Sequence, residues 1–131
     1  MDKRIGAELD LLRKDHPDLE YREDGRWVRI PGYALPQGWS RSETDVAFQI
    51  KVDYPGTPPY GFFVSAGLTF RNERPGGYNE PGSPQPPFDG TWGMFSWQQE
   101  PNAWRPTGDV ATGSNLRNFV RSFADRFAAG K

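Results

Sequence analysis

Residues 71–93, RNERPGGYNEPGSPQPPFDGTWG, hold five glycines and five prolines in 23 positions. No helix or central strand can run through such a stretch, because each proline lacks an amide donor and clashes with the preceding helical turn. The stretch is therefore expected to be a long extended connection, with the main regular elements on either side of it. A connection of that length is either functional or disordered. The rest of the chain does not read as disordered. Aromatic residues make up 15% of it and include five tryptophans, enough to pack a core around turn-rich connections.

Upstream, residues 2–15 set Ile5, Leu9 and Leu12 at helical spacing behind Asp2, a capping residue, and His16-Pro17-Asp18 ends the helix. RWVRIPGYAL (26–35) predicts a first strand through Trp27, Val28 and Ile30, ending at Pro31-Gly32. TDVAFQIKVDY (44–54) alternates, with Val46, Phe48, Ile50 and Val52 on one face. After PGTPP, YGFFVSAGLTF (60–70) supplies a third strand. Near the end of the sequence, Leu116, Phe119, Val120, Phe123 and Phe127 form one apolar helical stripe, with Ser114 as its cap. Helix, about three strands, a long extended region and a helix make an α+β layout: one domain over 1–131, with a meander sheet flanked by helices.

Composition narrows the chemistry. Lys and Arg number 16 against 17 Asp and Glu, so no basic excess points to nucleic acid. No apolar run approaches a membrane span, and the first residues lack the apolar core of a signal peptide. There is no cysteine, which removes disulfides, thiolate metal sites and thioester chemistry and fits a cytoplasmic location. The single histidine, His16, argues against a His-based metal site or a Ser-His-Asp triad. No metal or other cofactor is expected.

Three motifs stand in order: Tyr54-Pro55, Pro58-Pro59 and Trp104-Arg105-Pro106. The prolines must lie at strand boundaries, and a Trp beside a rigid turn can pack on the core while fixing the chain's path. Taken together with the two terminal helices, this order resembles the ubiquitin-conjugating (UBC) superfamily. It is most similar to the prokaryotic family E branch met in bacterial ubiquitin-like modification operons. The resemblance implies a UBC-like fold with an N-terminal helix, an antiparallel meander, a long extended active-site segment and a C-terminal helix. It implies two partners, a ubiquitin-like protein and a ubiquitin-activating-enzyme-like protein. The activating enzyme would engage the first helix and nearby loops.

In that family the catalytic cysteine lies eight residues before the Trp of Trp-x-Pro, which here is Ser96, within MFSWQQEPNAWRP. A serine hydroxyl needs a general base where a thiol ionises near neutrality. Asp89, Glu100 and Asp109 are the carboxylates that could approach it. Three readings stand side by side. Ser96 is a native replacement in a non-catalytic binding or scaffold module; it is a Cys→Ser change made for study in a conjugating transferase; or the alignment is displaced and the chemistry is lost. The His-Pro-Asn triplet familiar in the superfamily is absent, as in family E, leaving a backbone N–H or Gln98 as the oxyanion donor. Phe88, Asp89, Trp92, Trp97 and Gln98 would line the groove for the modifier's extended tail; burial of the aromatics to hold the loop down is the alternative. An unrelated α+β domain taking a peptide or sugar is a further reading.

Overall fold

The computed structural model describes residues 2–98 and 101–131. Helix α1 (Lys3–Leu12) begins where Asp2 caps it, its carboxylate accepting from the Arg4 and Ile5 amides. The sheet consists of β1 (Glu20–Arg22), β2 (Trp27–Ala34), β3 (Glu43–Gln49), β4 (Phe62–Ser65), β5 (Tyr78–Asn79) and β6 (Trp92–Phe95). Helix α2 (Leu116–Ala129) follows. The strands are antiparallel in the order β1-β2-β3-β4-β6-β5. The first four form a meander; the chain then crosses to the far edge for β5 and returns between β4 and β5 as β6.

Alternation along the strands gives the sheet two dry faces. Val28, Ile30, Val46, Phe48, Phe62, Val64 and Phe95 point to the helices and meet Ile5, Leu9 and Leu12 of α1 and the whole expected stripe of α2. Phe62 and Phe123 stack with centroids 4.0 Å apart at the middle of this core. Trp27, Ala47, Phe63, Phe88 and Trp92 form a second buried cluster on the outer face.

The outer cluster explains the Gly/Pro-rich stretch, which is neither disordered nor structureless. It contributes β5 and the start of β6, and residues between them cross the outer face and cover it. Prolines 81, 84, 86 and 87 cannot donate to a ladder, and the Gln85 side chain compensates. Its Oε1 accepts from the Trp92 amide at 3.0 Å, while its Nε2 donates to the Trp92 carbonyl at 2.9 Å and to the Gly82 carbonyl at 2.6 Å. A primary amide offers the same donor and acceptor as a strand neighbour. Gly82 lies so close to the sheet that a Cβ there would stand 2.9 Å from both Met94 and Phe63.

Other boundaries differ from expectation for local reasons. The first predicted strand does not end at Pro31-Gly32; a register irregularity between Ile30 and Tyr33 absorbs the turn and pairing resumes to Ala34. Gly32 there has φ +65° and its amide donates to Asp45. Strand β3 stops at Gln49, so Ile50 stays buried but Val52, expected inward, is 93% exposed on the turn that follows. The third strand is only Phe62–Ser65 of the expected 60–70. The cap of α2 is Asn115, in a capping box with Asn118; the Ser114 hydroxyl instead accepts from the Arg105 amide. No helix among the described residues is long and apolar enough to cross a membrane.

Candidate functional site

The Tyr-Pro motif is tied to both helices by a residue that periodicity left unremarked. Glu8 lies on the same helical face as Ile5, Leu9 and Leu12 and is fully buried. Its Oε1 accepts from the Tyr54 hydroxyl at 2.5 Å and from the Leu116 amide, the first of α2, at 2.6 Å. Its Oε2 accepts from Arg4 Nε at 2.8 Å. A carboxylate at a helix N-terminus with an arginine beside it is the arrangement in which a buried charge is tolerated. Burial first, and then the hydrogen bond to Glu8, push the Tyr54 phenol far above its ordinary range, so it remains a donor. The signal was present in the sequence: Glu8 sits at i+3 from Ile5 and i−4 from Leu12, the place of a core residue.

Tyr54 leads into Pro55 through a cis peptide. The Pro55 carbonyl accepts from the Trp104 indole N–H at 2.8 Å, and the Tyr54 and Trp104 rings lie 6.1 Å apart. Trp104 is therefore buried against the Tyr-Pro turn, which is why its ring sets the chain's path after the 3-10 turn Pro101–Ala103. Beyond it, Arg105 and Ser114 exchange bonds, Pro106 bridges Gly113, and α2 begins.

Ser96 follows directly on β6 and is exposed. Its amide donates to the Gly77 carbonyl at 2.8 Å. Phe95 before it is fully buried, and Trp97 after it turns back to the helices, its indole N–H on Ser122 Oγ at 2.9 Å. The Trp97 carbonyl accepts from the Gly61 amide at 2.6 Å. The connection carrying Pro58 and Pro59 thus enters β4 where the chain leaves β6, and position 96 is fastened on both flanks.

The residues expected to line a tail groove do not share one surface. Phe88 and Trp92 are buried in the outer cluster, covering the sheet rather than forming a wall. Asp89 is exposed at the β1–β2 side, where with Phe88 it lines a small polar recess with Glu20, Arg22 and Arg29. From β2 to β6 is three strand spacings, about 14 Å, so Asp89 does not reach Ser96. Trp97 belongs to the helix side, and Gln98 is exposed beside it. The Asp109 carboxylate accepts from the Ala111 amide within its own loop. Glu100 lies outside the described residues. Among the described residues no hydrogen bond reaches the Ser96 hydroxyl, and neither Asp89 nor Asp109 stands beside it as a base.

Two exposed apolar side chains flank this end of the sheet, Val52 and the half-exposed Tyr60. Val52 also lines a concavity of about 660 Å³ with Glu23, Arg26, Lys51 and Asp53. A second concavity, of about 610 Å³, lies between α2 and the end of β2, where His16 stacks on Tyr33 with centroids 5.8 Å apart. Burial lowers the His16 pKa against the opposing pull of Asp15. Among the described residues no three His, Asp or Glu side chains converge to hold a metal ion. No family model, curated protein or solved structure matches this chain.

Proposed function

We propose that this chain is a UBC-like protein of a bacterial ubiquitin-like modification pathway, with Ser96 at the position of the acceptor cysteine. The observation that carries the reading is the bond from the Trp104 indole to the Pro55 carbonyl, which joins the Trp-x-Pro and Tyr-Pro motifs across 49 residues. Ser96 is exposed directly after β6, and the next residue, Trp97, accepts through its carbonyl from the Gly61 amide at the end of the Pro58-Pro59 connection. A parent with cysteine at position 96 would accept the modifier from an activating enzyme as a thioester and pass it to an amine. With serine the chain cannot form the thioester. Exposed Tyr60 and Val52, beside the proline connection, are the apolar contacts a partner protein would cover.

The second reading is a binding or scaffold module of the same pathway, and an exposed Ser96 hydroxyl with no base beside it among the described residues favours it. One experiment separates the two. Ser96→Cys is incubated with a ubiquitin-like modifier, its activating enzyme and ATP, and a reductant-sensitive adduct is sought. An adduct supports transfer. With folding intact, no adduct but measurable binding of the modifier supports the scaffold, and neither adduct nor binding overturns the pathway assignment.

A further inference from the structure

Arg126, in the last turn of α2, is only 7% exposed, and every hydrogen bond it makes among the described residues goes to a backbone carbonyl. Nη1 donates to Gly130 at 3.0 Å and Nη2 to Gly76 at 2.7 Å. The guanidinium carbon stands 4.6 Å from the centre of the Phe95 ring. A buried cation without a carboxylate is costly, and here it is offset by the negative end of the helix and the face of Phe95. Closing α2 requires only the Gly130 contact. The contacts to Gly76 and Phe95 converge on position 96 from two directions: Gly77, φ +65°, supplies the carbonyl that holds the Ser96 amide, and Phe95 is the preceding residue.

We propose that Arg126 is the positioning residue for position 96: its guanidinium fixes the Gly76–Gly77 turn and seats Phe95, so the side chain at 96 leaves β6 at one height and in one direction. Its importance for transfer rests on the UBC-like reading, whereas the positioning itself does not. A planar fork suits the site because Nη1 and Nη2 reach two carbonyls in different segments at a fixed separation, whereas the three donors of an ammonium share one nitrogen that must come within reach of both.

The test begins on the chain as it exists, by NMR. The coupling across the hydrogen bond from the Ser96 amide to the Gly77 carbonyl is measured in the parent, Arg126→Met and Arg126→Lys, with the couplings across the β3–β4 ladder as internal reference. The expected result is loss of the 96–77 coupling in Arg126→Met with the reference couplings kept, and partial recovery in Arg126→Lys. Retention of the 96–77 coupling in Arg126→Met overturns the proposal. If that variant does not fold, Arg126→Lys decides: a coupling equal to the parent's overturns it, and a reduced one supports it. In the Ser96→Cys background, the rate of adduct formation at saturating activating enzyme should fall about tenfold or more in Arg126→Met, with KM for that enzyme within about twofold. An equal rate, or a change in KM alone, counts against the proposal. No adduct with Arg126 intact would sink the transfer reading while leaving the NMR result to stand.

Discussion

Replacing Glu8 by glutamine should expose how much of this fold hangs on one buried carboxylate. The amide keeps the volume, but its NH2 group must face either Arg4 or the Oε1 side, where Tyr54 and the Leu116 amide donate. The Leu116 amide cannot accept, and neither can the guanidinium, so each orientation sets a donor against a donor. Breaking a buried pair by removing one partner costs about 3–5 kcal/mol, and the lower end applies here because Arg4 keeps 20% of its side chain in water. Tyr54→Phe removes one hydrogen bond to a charged acceptor, about 1.5–2 kcal/mol. The two changes share one oxygen, so the double variant should fall short of their sum by about 1 kcal/mol. Urea unfolding followed by tryptophan fluorescence measures all four corners of the cycle, with an unchanged m value guarding the comparison. Glu8→Gln within about 1 kcal/mol of the parent, or strict additivity with Tyr54→Phe, would refute the reasoning.

Gln85→Ala leaves the Trp92 amide and carbonyl without the side chain that pairs them, and should cost about 2 kcal/mol in the same urea assay; a neutral result would mean the loop does not rely on Gln85. Gly93→Ala places a Cβ 2.0 Å from the Tyr78 hydroxyl, so it should destabilise by about 1–3 kcal/mol, read as a lower thermal midpoint. Hydrogen bonds from Arg117, then from Arg121, hold the Asp15 carboxyl well below its ordinary range, although its partial burial acts the other way. A depressed folded pKa means that its contribution is complete above the unfolded value of about 3.9 and is lost as pH falls through the folded one. The stability gap between the parent and Asp15→Asn should therefore be flat from neutral pH down to about 5 and shrink below about 4, and a gap that grows on acidification would contradict the ion-pair geometry. Tyr60→Ala and Val52→Ala should leave the stability within about 0.5 kcal/mol of the parent, as surface changes do, and under the proposed UBC-like reading should weaken capture of a ubiquitin-like modifier or its activating enzyme in a binding titration.

Both helices, their apolar stripes and the Asp2 cap could be read directly from the residues, because helical periodicity and capping are properties of neighbouring positions. So could the alternation of Val46, Phe48 and Ile50 and the α+β order of elements. Strand ends were less legible: Val52 continues the alternation of β3, yet the chain turns at Gln49, and only the absence of a facing strand reveals it. The five groove candidates failed to share a surface because sequence proximity says nothing about which face of a sheet a residue meets. Phe88, in the loop before β6, and Trp92, on it, lie in the outer cluster, while Trp97, past the end of the strand, lies against the helices. The roles of Glu8, Gln85 and Arg126 depend wholly on the tertiary structure. Each is a polar side chain whose value comes from carbonyls, amides or hydroxyls supplied by other segments, up to 108 residues away for Glu8 and Leu116. Local pattern determined which segments are regular and which face of each is apolar; long-range hydrogen bonding decided where those segments meet, because a buried polar group must find its partner wherever the folded chain provides one.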